Sequence, residues 1–351
     1  MSKGKLATLT EKLESGESLT GQDAEAAAFA LADAVVPEAQ KRAFLVALTD
    51  KGESPVEISA FAATFRKLAT EPGVGDIAQD AIDVCGTGGD KSGSFNFSTT
   101  TAFLLAAAGV PVLKHGNRSL TSKCGSADLL ERLGIPLTPP MDSHAGTLAK
   151  INFTFFFAPA HHPAFKEIMP VRQALGAEGK RTIFNLLGPL INPGQPAYQL
   201  LGVFSKAFLE PIAGALHNLG LKRGLVVHTE INEKQGMDEL ATCGTCHVAG
   251  FGELKNIREI WTPRQLGLQS CTLADIQGGD LDHNEYLLHQ ILDNHAPSPL
   301  ADNLCLNTGA GLWIAGKAQD IQDGINQARE LLSSGKAKTW LAHAQSHYSA
   351  Q

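Results

Sequence analysis

The sequence is poor in positive charge, in cysteine and in long apolar runs. Among its 351 residues, Lys and Arg number 29 and Asp and Glu 36, so the formal net charge is 29 − 36 = −7. This balance argues against a protein whose main work is non-specific binding to nucleic acid or to an anionic membrane. Six cysteines without an export signal predict free thiols in a reducing, cytoplasmic compartment.

No segment is suited to crossing a membrane. The longest apolar stretch, 102–113, has about 12 residues, whereas a membrane span needs roughly 20. Lys3 and Lys5 resemble the head of a signal peptide, but polar residues from Thr8 to Lys12 interrupt any apolar core. The length and the 43% apolar content instead predict a globular protein of about two domains.

The first 70 residues carry helix signals and almost no strand signal. Thr20 and Asp23 form a capping-box pattern before an Ala-rich run that ends at Pro37. Residues 54–57 combine a cap, a first-turn proline and an acidic third position. We expect three or four packed helices here.

From about residue 74 onward, short apolar runs alternate with helical stretches. The expected buried strands are 81–84, 111–114, 153–158, 199–204 and 224–228, and the helices between them are 98–108, 122–133, 163–175 and 209–219. This alternation predicts an α/β fold with a mostly parallel sheet, in which ligands bind where strands end. The C-terminal third, 257–351, carries few chemical signals, and we expect its last helix at 318–332.

A glycine-rich loop, 86–93, follows the first expected strand. Its four glycines let backbone N–H groups turn inward around an anion, and residues 96–99 stand at the next helix N-terminus, where phosphate is favoured. Asp90 occupies the glycine position of a Walker A loop, and Lys91 that of a dinucleotide fingerprint. The loop therefore predicts an anion site of neither common kind; the alternative is a purely structural turn.

Two further clusters follow later strands. Residues 114–126 contain three cations, Lys114, Arg118 and Lys123, which at the end of a buried strand call for an anion. A solvated basic loop is the alternative, but the position beside the glycine-rich loop favours a ligand with two separate phosphate groups. Asp238 and Glu239 follow a later strand and could hold Mg²⁺, which prefers one or two carboxylates plus phosphates and water.

Together these motifs resemble the anthranilate phosphoribosyltransferase family. The matching segments, in the family's order, are 86–90, 96–99, 114–118, 125–128 and 181–190. The resemblance spans about residues 54–270 and extends more loosely to both ends. It implies tryptophan biosynthesis: transfer of the phosphoribosyl group of phosphoribosyl pyrophosphate to the amine of anthranilate, with release of pyrophosphate.

The family resemblance also implies an architecture. It is a small, discontinuous all-helical domain, 1–73 joined by 163–198, and a large α/β domain, 74–162 and 199–351, with a mostly parallel central sheet of the nucleoside phosphorylase/phosphoribosyltransferase type. It further implies a homodimer formed through the helical domain.

The resemblance assigns roles to individual residues. The implied phosphoribosyl pyrophosphate contacts are Gly86, Gly89, Asp90, Ser94, Asn96, Phe97, Ser98, Thr99, Lys114, His115, Gly116, Asn117, Arg118, Ser119, Leu120, Thr121, Ser122 and Ser126. The implied anthranilate contacts are Gly86, Asn117 and Arg172, and the implied ligands of two Mg²⁺ ions are Ser98, Asp238 and Glu239. Lys114, Asp238 and Glu239 are the catalytic candidates, because the leaving pyrophosphate gains negative charge.

No covalent nucleophile is expected. The aromatic amine of anthranilate is neutral at pH 7 and already nucleophilic, so we expect neither a strong general base nor a covalent role for Cys85, Cys124 or Ser126. Positioning both substrates in line could itself supply several kcal/mol, roughly 7–11 at the upper end.

Three features depart from the family pattern. Residues 177–180 stand where the family usually has one residue, and the loop 229–235 is longer than usual, with Thr229 in place of a common glycine. Cys124 replaces a typical serine. The first two flank the segments to which the resemblance assigns anthranilate and Mg²⁺. They therefore bear on which molecule accepts the phosphoribosyl group.

Two histidine-containing motifs are ambiguous. Cys243, Cys246 and His247 match a haem-attachment pattern and half of a zinc site, but we expect free thiols in a loop. His161 and His162 are expected in a loop before a helix, where they could line the entrance to the site.

Two other functions are compatible with parts of the sequence. A pyrimidine nucleoside phosphorylase shares the fold, but would need base-reading residues in place of Asn117 and Arg172. A non-catalytic relative that binds nucleic acid would lack Asp238 and Glu239 and would have a basic surface.

Overall fold

The computed structural model describes residues 2–118 and 123–350, which form 15 α-helices and eight strands. The helices are α1 Ser2–Glu14, α2 Gly21–Ala32, α3 Glu38–Lys51, α4 Pro55–Lys67, α5 Phe97–Ala107, α6 Ser126–Arg132, α7 His144–Ile151, α8 Ala158–His161, α9 Met169–Ala177, α10 Phe184–Leu187, α11 Leu209–Asn218, α12 Leu281–Leu292, α13 Ser298–Ile314, α14 Ile321–Ser333 and α15 Lys336–Ser349. The strands are β1 Ile82–Gly86, β2 Val112–Gly116, β3 Phe153–Phe157, β4 Tyr198–Gly202, β5 Arg223–Asn232, β6 Gln235–Met237, β7 Thr245–Gly252 and β8 Arg258–Trp261. Among these described residues, no helix combines the length and apolar character needed to cross a membrane.

The strands form one mixed sheet in the order β3-β2-β1-β4-β5-β7-β8, with β6 paired to β5. The first five of these are mutually parallel, and β6, β7 and β8 are antiparallel additions. The chain leaves β1 toward β2 and β3 on one side and returns to β4 and β5 on the other. The gap between the carboxyl ends of β1 and β4 is therefore a topological switch point, where open α/β sheets bind ligands.

The helical N-terminus is confirmed, including both predicted caps. Thr20 and Ser54 each accept a hydrogen bond from the residue three positions on, whose carboxylate reaches back to the cap, so α2 and α4 begin with complete capping boxes.

The helices α1–α4 share an apolar core with residues 168–191. Ile168, Val171 and Leu175 are buried among them, and Arg66 of α4 donates to the Leu190 carbonyl at 2.6 Å. The chain thus leaves the sheet after β3, packs against the N-terminal helices and returns to form β4.

All five predicted strands are confirmed within a few residues, but three other predictions were wrong. The predicted helix 163–175 is split into a 3₁₀ turn, Pro163–Glu167, and α9, because Pro170 lacks an N–H and fits only the first turn of a new helix. The loop 229–235 is largely a β-hairpin formed by β5 and β6. The helix predicted at 318–332 is not the last, because α15 follows and packs Trp340 on Phe103.

A buried ion pair, Lys51–Glu57, links three of the N-terminal helices. Glu57 is fully buried and accepts hydrogen bonds from the Leu19 amide at 2.8 Å, the Ser54 amide at 2.7 Å and the Lys51 ammonium at 2.6 Å. The Lys51 side chain is only 7% exposed, so neither charge can turn to water. Glu57 therefore ties the start of α2, the end of α3 and the start of α4 together.

We predict that Glu57→Gln lowers the free energy of unfolding by about 3 kcal/mol, because it leaves the buried Lys51 charge without its counter-ion. The matched control is Glu25→Gln, which breaks the exposed Lys67–Glu25 pair and should change stability by less than about 1 kcal/mol. Urea unfolding followed by circular dichroism measures both, and equal effects of the two substitutions would contradict the assignment.

Candidate active site

Two glycines at the switch point admit the loop that follows β6. Gly86 ends β1 and pairs in register with Gly202, which ends β4. A Cβ at Gly86 would collide with the Asp238 carboxylate, and a Cβ at Gly202 would collide with the Asp238 backbone. Asp238 therefore lies directly over the ends of β1 and β4. Gly202 was not predicted as a site residue, although a glycine inside an expected buried strand is a signal of close backbone approach that could have found it.

The glycine-rich loop wraps around this carboxylate. The Gly88 N–H donates to Asp238 Oδ2 at 2.6 Å, and Asp90 accepts from the Ser92 amide at 3.1 Å and the Asp238 amide at 3.4 Å. Gly88 and Gly89 have φ of 71° and 82°, a left-handed conformation that favours glycine. The predicted residues Gly86, Gly89 and Asp90 thus come together with Asp238.

The N-terminus of α5 provides unused hydrogen-bonding groups next to the carboxylates. The Ser98 N–H donates to Glu239 Oε1 at 3.3 Å, and Asn96, at the cap position, makes no capping bond and donates instead to the Cys124 carbonyl at 3.3 Å. Thr99 Oγ1 is buried and has no partner among the described residues. A helix terminus with free donors is suited to a phosphate group.

Lys114 is a buried cation beneath this end of the sheet. Its ammonium donates to the Val84 carbonyl at 2.8 Å and to Ser98 Oγ at 3.5 Å. Burial lowers the pKa of Lys114, whereas Asp83 opposes that shift. Burial also raises the pKa of Asp83, to about 6, against the attraction of Lys114. Asp83 is thus the buried counter-charge that the sequence analysis missed.

Asp238 and Glu239 are held where negative charge is unfavourable. Each is partly exposed, but most of its surroundings are protein. This burial, together with neighbouring Asp90 and Glu239, raises the pKa of Asp238 well above its usual range. Burial likewise raises the pKa of Glu239 to about 8, although Lys114 opposes the shift. Two crowded carboxylates beside a hydroxyl form a hard-oxygen set that a divalent cation would neutralise.

The basic loop after β2 is only partly described. Arg118 forms ion pairs with Asp128 at 2.8 Å and with Glu131 at 3.0 Å, so its guanidinium faces α6. Ser126 Oγ donates to the Asn117 carbonyl at 3.2 Å, which closes the loop on the start of α6. Ser119, Leu120, Thr121 and Ser122, which were predicted to contact phosphoribosyl pyrophosphate, lie outside the described residues.

Other predicted contacts line the walls of this region. Ser94 Oγ lies 3.2 Å from Ser92 Oγ, and Phe97 packs edge-on against Phe95. At Gly116 a Cβ would collide with Phe155 and with Ser126 Oγ, so the strand end also needs glycine for close packing.

Arg172 stands apart on α9 as a cation without a counter-charge. Its guanidinium lies over the rings of Phe165 and Phe184, 5.7 and 5.4 Å from their centroids. Within 2–118 and 123–350 no carboxylate forms an ion pair with it, and burial lowers its pKa. A desolvated guanidinium between aromatic rings is suited to the carboxylate of an aromatic acid.

A row of side chains connects Arg172 to His115, which is next to Lys114 on β2. His115 Nδ1 lies 3.1 Å from the Gly188 carbonyl, His115 Nε2 lies 3.2 Å from His162 Nε2, and the His162 ring packs against Phe165. Both histidines are buried. The prediction of a loop was wrong for His161, which ends helix α8, and is confirmed for His162, which connects α8 to the 3₁₀ turn Pro163–Glu167. The Pro163 ring ends that helix by removing a backbone donor.

Side chains of α13 support the loop that carries Asp238 and Glu239. Asn307 accepts from the Leu240 amide at 3.2 Å and donates to its carbonyl at 2.7 Å, and Asn303 accepts from the Thr242 amide at 2.8 Å. The C-terminal third therefore contributes polar side chains that support the site, whereas we expected it to carry few chemical signals. Two buried asparagines four residues apart in an apolar helix are the signal that could have shown it.

The remaining ambiguous motifs lie around this loop. Cys246 is buried on β7, not in a loop as predicted, while Cys243 precedes the strand; all six cysteines are free. His247 lies 2.7 Å from Glu230, which also pairs with Lys206. In the described part of the chain, no cluster of three or more His, Cys, Asp or Glu side chains is arranged to hold a metal, so this motif has no zinc partner there.

The extra residues 177–180 face the N-terminal helices. Glu178 pairs with Arg42 of α3 at 2.7 Å, and Lys180 lines an open cavity between α1 and α3. The contacts of this insertion are with the helical part of the molecule and not with the glycine-rich loop.

Comparison with known proteins identifies the class. The family model described as "Glycosyl transferase family, helical bundle domain" matches residues 7–69, and the model described as "Glycosyl transferase family, a/b domain" matches residues 78–338. The chain belongs to this glycosyltransferase class, with its helical and α/β domains in the same order.

Individual relatives show which family within this class the chain belongs to. Proteins called anthranilate phosphoribosyltransferase from Petrotoga mobilis and Brucella suis biovar 1 are each 42% identical, covering 93% of this chain and 92% and 93% of their own lengths. The crystal structure of anthranilate phosphoribosyltransferase from Thermus thermophilus matches with a TM-score of 0.88 and 39% identity, over 97% of this chain and 99% of that one. The chain belongs to the anthranilate phosphoribosyltransferase family.

A more distant structure shares the fold. The enzyme of Saccharomyces cerevisiae, solved in complex with phosphoribosyl pyrophosphate and Mg, matches with a TM-score of 0.84 over 99% of both chains, at 23% identity.

We predict that Gly202→Ala displaces Asp238, because the new Cβ has no room beside the Asp238 backbone. Such overpacking should destabilise the protein by about 1–3 kcal/mol. It should also speed hydrogen exchange in the peptide that contains Gly88, whose N–H bonds to Asp238. The control is Gly146→Ala, at a helical glycine with open space around it, which should leave both unchanged or slightly raise stability. Unchanged exchange in Gly202→Ala would refute the close approach.

Proposed function

We propose that this protein transfers the phosphoribosyl group of phosphoribosyl pyrophosphate to the amine of anthranilate. The observation that carries the proposal is the meeting of Asp238 and Glu239 with the glycine-rich loop and the α5 N-terminus at one switch point of the sheet. The uncompensated Arg172, connected to this point through His115 and His162, supports an acceptor that bears a carboxylate. The names and the similarity of the relatives agree with this proposal.

The residues present fit a divalent metal. Asp238, Glu239 and Ser98 offer only oxygen ligands, and the crowding that raises both carboxylate pKa values would be relieved by a cation. We propose that they hold Mg²⁺, and that there are two ions. Two carboxylates leave coordination positions for phosphate oxygens and water, as Mg²⁺ prefers. Bound Mg²⁺ would neutralise the charge that develops on the departing pyrophosphate.

The chain's own groups supply the rest of the proposed mechanism. Lys114, fixed by the Val84 carbonyl, lends positive potential beneath the leaving group, and the α5 N-terminus offers donors that need no reorganisation. Arg172 and Asn117 would orient anthranilate so that its neutral amine faces the ribose. The main source of rate enhancement would then be the in-line positioning of the two reactants, and no general base would be needed.

The proposal includes the domain division and the location of the protein. The division into a helical domain, 1–73 with 163–198, and an α/β domain, 74–162 with 199–351, is supported by the core that residues 168–191 share with α1–α4. A cytoplasmic location is supported by the free cysteines. The phosphorylase and nucleic-acid alternatives gain no support from the relatives.

We also propose a homodimer formed through the helical domain. Phe29 and Val35 of this region are 44% and 64% exposed, and a cavity of about 660 Å³ opens between α1 and α3. A second copy of the chain on this region would remove exposed apolar side chains from water.

The transfer reaction is tested by the fluorescence of anthranilate. We expect it to disappear only when phosphoribosyl pyrophosphate and Mg²⁺ are both present. The double variant Asp238→Asn, Glu239→Gln should lower kcat by at least about 100-fold, because the charge of the leaving group is no longer neutralised. Its circular dichroism should remain that of the wild type. Full Mg²⁺-dependent turnover in the folded double variant would refute the metal assignment, and persistent fluorescence with the wild type would refute the acceptor.

The dimer is tested by light scattering coupled to size-exclusion chromatography. The chain mass of 37.1 kDa predicts 2 × 37.1 = 74.2 kDa for the wild type. Ala43→Glu, on α3 beside the cavity, should give the mass of one chain, because it introduces a charge that a second copy would bury. Ile260→Glu, at a 57% exposed position on β8, should stay dimeric. A wild-type mass near 37 kDa at micromolar concentration would contradict the proposal.

A further inference from the structure

Thr229 occupies a fully buried position immediately behind the loop that carries Asp238 and Glu239. It lies on β5, and its backbone is paired on one side with Met237 of β6 and on the other with Cys246 of β7. The hairpin formed by β5 and β6 leads straight from Thr229 back to Asp238. The residue that departs from the family's common glycine is therefore placed where its side chain can reach the metal loop.

The Thr229 hydroxyl bridges two backbone groups of that loop. Thr229 Oγ1 lies 2.7 Å from the Glu239 carbonyl oxygen and 3.0 Å from the Ala241 nitrogen. A carbonyl can only accept and an amide can only donate, so the directions of both bonds are fixed: the hydroxyl donates to Glu239 and accepts from Ala241. A single side-chain atom thus holds the chain on both sides of Leu240.

Other side chains also hold the backbone of the turn that follows Glu239. Cys246 Sγ lies 3.3 Å from the Ala241 carbonyl and 3.3 Å from Thr229 Oγ1, and Asn307 holds both backbone groups of Leu240 from the opposite side. The turn after Glu239 is therefore fixed by side chains from β5, β7 and α13. Thr229 is the member of this set that bonds directly to Glu239.

We propose that Thr229 is a positioning residue for the metal site, which fixes the backbone of Glu239 so that its carboxylate meets Ser98 and the divalent ion. This rests on the proposed function, in which Asp238 and Glu239 hold Mg²⁺. A chain with glycine at this position has no hydroxyl to offer, so this device belongs to the β5–β6 hairpin of the present protein. Residues that orient metal ligands act on metal affinity without touching the metal.

The test compares Thr229→Val, which keeps the shape and removes the hydroxyl, with Thr229→Ser, which keeps the hydroxyl. Binding of Mn²⁺, as a spectroscopic substitute for Mg²⁺, is titrated by electron paramagnetic resonance in the presence of phosphoribosyl pyrophosphate. We expect Thr229→Val to weaken Mn²⁺ binding by roughly 10-fold. Thr229→Ser, which keeps the hydroxyl, should bind Mn²⁺ with nearly the wild-type affinity. The KM for anthranilate should stay unchanged in both, because Arg172 packs on Phe165 and Phe184, which belong to a different part of the chain from the side chains that hold the altered turn.

Controls separate positioning from general destabilisation. Thr64→Val removes a buried hydroxyl that donates to the Ala60 carbonyl within α4, so it should leave Mn²⁺ binding unchanged whatever its effect on the melting temperature. Thr229→Ala serves in the same titration if Thr229→Val does not fold. Wild-type Mn²⁺ affinity in the Thr229 variants, with affinity lost in Asp238→Asn, would overturn the role of Thr229 and leave the proposed function standing. Absence of Mn²⁺ binding in the wild type would instead overturn the metal site itself.

Discussion

The close approach of the Asp238 backbone to the ends of β1 and β4 is the constraint on which the site depends. Two residues without a Cβ, Gly86 and Gly202, stand in register on adjacent parallel strands and leave a shallow space at the switch point. The loop that carries Asp238 and Glu239 fills this space, and the Gly88 N–H of the glycine-rich loop bonds to the Asp238 carboxylate. The α5 N-terminus contacts this loop through the Ser98 N–H and Glu239, and Lys114 in turn contacts Ser98.

The electrostatic design follows from this crowding. Asp90, Asp238 and Glu239 bring three acidic groups together beside a single buried ammonium. An arrangement of this kind is unfavourable for a protein that only has to fold, because burial penalises each ionised carboxylate. A divalent ion bound there would relieve this cost, because it would neutralise the carboxylates.

Sequence reasoning predicted the five parallel strands, the capping boxes and the grouping of the phosphate loops, because each depends on local spacing of apolar residues, glycines and charges. It did not find Gly202, Asp83, Asn303 or Asn307, whose importance comes from contacts between residues far apart in the chain. The β5–β6 hairpin was expected as a loop because its residues, including Asn232 and Gln235, are mostly polar, whereas Thr229 and Glu230 are held in β5 by pairing with both β6 and β7. The predicted roles of Arg172 and Asn117 came from family resemblance; the structure adds the isolation of the Arg172 charge.

The excursion of the chain between β3 and β4 has a mechanical consequence. Arg172 belongs to a segment whose apolar side chains are buried with α1–α4, whereas the glycine-rich loop follows β1 of the sheet. The same apolar core includes Leu201 of β4 and Val226 of β5, so the helical part packs directly against one face of the sheet. The separation between Arg172 and the glycine-rich loop is therefore fixed by close-packed side chains as well as by the chain connections, and a change of side-chain volume in this shared core would alter it.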